Sequence, residues 1–226
     1  MRLASVRGHH IWPAPLTKDS VVVDAGAHRG EFSAEIIRRF GCQCHLVEAN
    51  PKLVETLIVA GAESITPAAL DAHDGRGMLH VSENPEATGL FDAGSVTTNV
   101  EVETISLVTL MQRLGIAKID ILKLDIEGAE FDLIASTPDQ ILQRINQITV
   151  EFHDFKPAFR GRGLFENARE RLIALGFICC NMAFRTHGDV LFLNRGRTGL
   201  RLWQLFYARW FARYDAKVRK SLHGQT

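Results

Sequence analysis

The chain has 226 residues, 46% hydrophobic and 23% charged, which suits one α/β domain with a sizeable core, or such a domain with a small appendage. Lys/Arg and Asp/Glu balance at 26 each, yet residues 195–226 carry +7 and the rest −7. The body is therefore too acidic for general nucleic-acid binding, whereas the tail suits anionic surfaces.

No apolar run is long enough for a membrane span, and residues 1–15 hold prolines and basic residues instead of a leader core. These features predict a cytoplasmic protein without a secretory signal. Cys42, Cys44, Cys179 and Cys180 have neither zinc-site nor disulfide-scaffold spacing and read as buried thiols. Residues 1–20 read as an N-terminal extension, 21–195 as the main domain and 196–226 as a basic aromatic tail.

Apolar runs alternate with helical patterns, the sign of a mostly parallel sheet. Val21, Val22 and Val23 form a buried strand ending at Asp24, and residues 30–40 follow as a helix stopped by Gly41. A second strand, 44–47, ends at Glu48. Pro51 then opens a helix through about residue 60, and 64–70 is a third strand or extended segment.

Residues 71–98 are rich in Gly, Asp, Asn and Ser and are expected to cover the site; 77–82 and 100–107 pair as extra strands within and beside them. A helix over 107–114 closes at Gly115. The most apolar strand, 119–124, is interrupted by Lys123 and leads into a helix over 128–135. A strand at 148–152 and a helix at 165–175 come next. Strands 177–184 and 189–193 then form an antiparallel hairpin.

Four strand ends carry candidate chemistry. The first is Asp24-Ala25-Gly26-Ala27-His28-Arg29-Gly30, a strand-to-helix turn where open α/β sheets bind ligands. Gly26 permits a sharp turn and Gly30 opens the helix. Ala27 and His28 break the dinucleotide fingerprint, and an acid here repels a pyrophosphate, so the ligand expected is cationic and lacks phosphate. The second is Glu48, placed to accept both ribose hydroxyls of a nucleoside, though Glu48 to Pro51 also reads as a helix cap. Asp71, after the third strand, is the expected adenine contact.

In the third, Lys123-Leu124-Asp125-Ile126-Glu127-Gly128-Ala129-Glu130, Lys123 and Asp125 share a face and need partners: each other, Glu127 or a ligand. A purely structural ion pair is the alternative. The fourth is Glu151-Phe152-His153, which places an acid and a candidate base on one face; a solvent-exposed loop histidine is the alternative.

These stretches resemble the FkbM family of S-adenosylmethionine (SAM)-dependent methyltransferases over about residues 21–193. The resemblance is carried by VVVDAGAHRGEFS, LVEANP, VETISLVTL, IDILKLDIEGAE and ITVEFH, with KLDIEGAE the most specific. It implies a Rossmann-like class I fold, with a mostly parallel seven-stranded sheet, a C-terminal antiparallel hairpin and helices on both faces. It also implies O-methyl transfer to hydroxyls of sugars, glycans or related natural products. By this resemblance Asp24, Gly26, Gly30 and Glu48 bind SAM, and Asp125, Glu127, Glu151 and His153 face the acceptor; Ala27, within the first turn, and Asp71 complete the expected cofactor contacts. His153 is the first candidate base and Asp125 the second. The same carboxylates could hold Mg²⁺, but no metal is assigned.

In the tail, Leu200, Trp203, Tyr207, Trp210 and Tyr214 recur at helical spacing among Arg201, Arg209, Arg213 and Lys217. The stripe over 200–220 reads either as a peripheral helix on the inner membrane surface or as one docked on protein. Two other functions compete. A dehydrogenase is opposed by the missing second glycine and by Asp24. A non-catalytic methyltransferase-like module acting through the tail is opposed by the retained acids.

Overall fold

The computed structural model describes residues 3–82, 96–183 and 186–201 together with Gln204 and Tyr207. The chain runs β1 (Ala4–Val6), β2 (His9–Ile11), β3 (Val21–Ala25), α1 (Glu31–Phe40), β4 (Gln43–Glu48), α2 (Pro51–Val54), β5 (Ser64–Pro67), β6 (Ala69–Leu70), β7 (Gly75–Ser82) and β8 (Val96–Ile105). It continues with α3 (Leu107–Leu114), β9 (Ile119–Leu124), α4 (Glu130–Ser136), α5 (Asp139–Leu142), β10 (Ile145–Val150), α6 (Leu164–Ala174), β11 (Phe177–Asn181) and β12 (Val190–Asn194).

Seven strands form the main sheet in the order β5-β4-β3-β9-β10-β12-β11. The pairs β3–β4, β4–β5, β3–β9 and β9–β10 are parallel, and β12 runs antiparallel to both β10 and β11. This is the class I Rossmann-like architecture expected, with its terminal hairpin. The order reverses between β3 and β9, and at such a switch point the loops at the carboxyl ends part to leave a crevice. The register sets Asp24 opposite Lys123 and Ala25 opposite Leu124, so two motifs far apart in sequence become neighbours.

Alternation along the central strands builds two cores. Val23, Val47, Leu122, Leu124, Ile148 and Val150 face α3, α4 and α6, where Leu110, Phe131 and Leu172 are buried against them. Val22, Cys44, Leu46 and Ile121 face α1 through Phe32 and Ile36. The β1–β2 hairpin completes this second face: Val6 and Ile11 join its core, and β2 lies against β10 and β12. The Gln147 amide clamps the hairpin's exit, accepting from the Trp12 N–H at 2.8 Å and donating to its carbonyl at 3.0 Å. A smaller sheet, β6-β8-β7, meets the main sheet where β6 touches β4, and the pairing expected between 77–82 and 100–107 is present as β7–β8.

Several bounds differ from the sequence reading. The helix expected over 51–60 ends at Val54 because the chain turns to bring Leu57 and Val59 against Gly30, and β-branched Ile58 and Val59 favour extended backbone. Thr56 turns its hydroxyl back onto the Lys52 and Leu53 carbonyls at that end. Strand β10 starts at Ile145, three residues earlier than expected, and α5 was not anticipated. Strand β11 ends at Asn181, and Phe184 lies outside the described residues. So do residues 83–95 of the expected cover, and Trp203, Trp210 and Tyr214 of the tail stripe. Leu200 and Tyr207 pack against a cluster containing Trp12, Cys180, Met182, Leu191 and Leu193. Among the described residues no helix is long and apolar enough to cross a membrane.

Candidate active site

A cavity of about 730 Å³ opens at the switch point, within the size range of small-molecule sites. Gly26 makes one wall. Its φ is +71°, and a Cβ there would lie 1.8 Å from the Asp125 carbonyl oxygen, so the β3 turn and the β9 tip touch in a way no side chain permits. Gly30 serves packing instead: a Cβ would meet Val59 at 2.2 Å. Next to this turn, the Glu48 carboxylate accepts the His28 N–H at 2.7 Å and the Asn50 N–H at 2.8 Å. Those two bonds fix the carboxylate at the cavity edge, and each oxygen keeps a further lone pair. His28 adopts φ +52°, and its buried Nε2 has no partner among the described residues.

Lys123 is the electrostatic centre. Its ammonium is fully enclosed and donates to the Gly26 carbonyl at 2.6 Å, with Asp24 Oδ1 at 3.2 Å and Asp125 Oδ2 at 3.5 Å. The Gly26 carbonyl takes one N–H in a hydrogen bond, and the two carboxylates compensate the buried charge as ion-pair partners. Burial alone would lower its pKa, but Asp24 and Asp125 outweigh burial and raise it. The effect on Asp125 is reciprocal. Burial pushes its pKa up, while Lys123, then His9 and His153, hold it well below the usual carboxylate range.

His153 is buried and doubly held. Glu130, fully buried at the start of α4, lies with Oε1 2.8 Å from His153 Nδ1 and also accepts the Ile126 N–H. That leaves Nε2 facing Glu127 at 3.4 Å and Asp125 at 3.9 Å. Burial lowers the His153 pKa, but the Glu130 hydrogen bond and the Glu130 and Glu127 charges overcome it and raise the pKa above its ordinary value. Glu127 sits at φ +60°, a conformation that costs a non-glycine residue of order 1–3 kcal/mol, and pairs with the Lys156 ammonium. The Glu151 pKa is raised by burial and then by the nearby Asp125 charge.

Residues 24–179 match the methyltransferase FkbM domain. The chain belongs to this family. A search of curated proteins returns no match. Among solved structures, the FkbM fold here is similar to the fibrillarin pre-rRNA processing protein of Methanococcus jannaschii, at 16% identity over 84% of this chain and 68% of that one, with a TM-score of 0.43. It is also similar to a precorrin-6y C5,15-methyltransferase from Geobacter metallireducens, at 11% identity over 79% and 82% and a TM-score of 0.39. A TehB-like SAM-dependent methyltransferase from Corynebacterium glutamicum is likewise 11% identical over 80% and 81%, with a TM-score of 0.38.

Within this FkbM domain, Gly26, Ala27, Glu48, Asp125, Glu127, Glu151 and His153 all line the cavity, as does Leu79 of β7. Asp24, Gly30 and Asp71 are not on that lining. Asp24 is fully buried, accepts the Ser33 hydroxyl at 2.7 Å and acts on the cavity through Lys123. Asp71 accepts the Ala72 N–H at 2.7 Å, and its neighbour Leu70 takes the wall.

Sequence reasoning passed over His9, Glu130 and Lys156 as site residues. His9 comes from the N-terminal hairpin and stands 3.9 Å from Asp125. For Glu130, the available signal was a second acid three residues after Glu127 at a helix start, where the next turn is within reach. His9 and Lys156 meet their partners through tertiary contacts that leave no local periodicity.

Proposed function

We propose that the protein is a SAM-dependent O-methyltransferase acting on a hydroxyl of a sugar, glycan or related natural product. The observation that carries this reading is the shared cavity, with the Glu48 carboxylate at one wall and the Glu130-held His153 at another. The cradle suits a cationic, phosphate-free nucleoside. Gly26 leaves room beside the backbone, and Glu48 retains acceptor capacity for ribose hydroxyls. When bound, such a donor supplies an electrophilic methyl on a sulfonium.

A sugar hydroxyl is a poor nucleophile, so its proton must leave during attack. His153 Nε2 is the acceptor for that proton, and the Glu130 carboxylate stabilises the resulting imidazolium through Nδ1–H. Glu127 and Glu151 accept hydrogen bonds from neighbouring hydroxyls of the acceptor and align the attacking oxygen.

Incubation with methyl-labelled donor and a panel of free, nucleotide-linked and lipid-linked sugars tests the proposal. Label recovered on an acceptor oxygen supports it. Label recovered on carbon or nitrogen would redirect it. Turnover absent across the panel together with no donor binding would favour a non-catalytic module.

A further inference from the structure

We propose that His9, Asp125 and Glu151 form a binding site for one divalent cation of the Mg²⁺ or Mn²⁺ class beside the methyl-transfer site. The three residues come from separate parts of the chain: β2 of the N-terminal hairpin, the tip of β9 and the tip of β10. One ligand atom from each lies within 4.8 Å of the other two. In octahedral coordination at about 2.1 Å, adjacent ligands stand about 3 Å apart and opposite ones about 4.2 Å, so the cluster needs modest contraction around an ion.

The state of His9 and of Glu151 points the same way, while Asp125 Oδ2 is shared with the Lys123 ammonium. His9 is 4% exposed and lines the cavity. Thr149 Oγ1 sits 3.4 Å from its Nδ1, which directs Nε2 at Asp125 Oδ2, 3.9 Å away. That gap is too long for a hydrogen bond and falls between the adjacent and opposite spacings of two ligands on one ion. Glu151 makes no side-chain hydrogen bond or ion pair with any described residue, although it lines the same cavity. A neighbouring trio of Asp125, Glu127 and His153 is equally close. There, however, Glu127 is already paired with Lys156 and His153 is tied to Glu130.

Charge adds to the case. Asp24, Asp125, Glu127, Glu130 and Glu151 crowd these strand tips against the ammonium groups of Lys123 and Lys156. One imidazole and two carboxylates leave open positions on an octahedral ion. If the proposed acceptor is a sugar, two adjacent hydroxyls fill such positions and the ion orients them; that role rests on the function proposed above, whereas binding of the ion does not.

The test is titration of the metal-stripped full chain with Mn²⁺, without donor or acceptor, following free Mn²⁺ by electron paramagnetic resonance. One ion per chain is expected, with His9→Ala and Glu151→Gln each weakening binding about tenfold or more. Should the melting curve show His9→Ala unfolded, His9→Gln is read in its place. Absence of saturable binding, or unchanged affinity in either variant, overturns the site. Because no methyl donor is present, that failure leaves the methyl-transfer reading standing, to be decided by donor binding and turnover.

Discussion

At the residue scale, the proposed chemistry rests on His153 and on what holds it. Replacing His153 by Ala is expected to lower turnover about 10²–10⁴-fold while donor affinity stays within a few-fold, measured by steady-state kinetics beside a binding titration. The sign of the pH dependence follows from Glu130. Its hydrogen bond raises the His153 pKa, and only the unprotonated imidazole accepts a proton. The acidic limb of kcat/KM should therefore lie above the ordinary histidine value of about 6.5. Glu130→Gln should return it toward that value, and an unmoved limb would remove His153 from the proton transfer. Stability carries the opposite dependence. A raised native pKa contributes stability that is full below about pH 6.5 and is lost as pH rises through the raised value. Gly26→Ala is the steric counterpart: with a Cβ 1.8 Å from the Asp125 oxygen, the β3 turn must leave β9, and donor binding should be lost even in protein that remains folded.

At the element scale, the strands at the switch point and the terminal hairpin were legible because their signals are local. Val21 to Asp24 is β-branched and ends in an acid, and residues 119–124 carry four large apolar side chains. The spacings of Asp24, Glu48, Asp125 and Glu151 each mark a strand end. What could not be read depends on contacts between distant segments. The β1–β2 hairpin, which brings His9 to Asp125, has strands of three residues each, too short for a period to declare itself. The helix after Pro51 stopped early because Leu57 and Val59 were needed beside Gly30, a demand no local pattern records. The hairpin's structural weight is testable. Ile11 is fully buried in the α1-side core, and Ile11→Ala should cost about 2–5 kcal/mol by denaturant titration. A cost near zero would mean that the hairpin is not docked in solution. At the other end, truncation after Gly196 strips Leu200 and Tyr207 from the Trp12 and Met182 cluster, and the melting temperature should fall by several degrees.

At the scale of the whole molecule, the sheet order turns scattered acids into one site. Reversal between β3 and β9 opens the crevice, parallel pairing brings the strand tips together, and Lys123 ties the β3 and β9 tips through Gly26, Asp24 and Asp125. Membership of the FkbM family makes methyl transfer the reaction class, and the cavity is the location we propose for it. The most direct test is calorimetric titration of the full chain with SAM, run beside Glu48→Ala. One molecule bound per chain is expected, with affinity lowered about 5–150-fold in the variant, the worth of roughly 1–3 kcal/mol of lost hydrogen bonding. No saturable binding, or equal affinity in both proteins, would contradict the placement of the donor in this cavity.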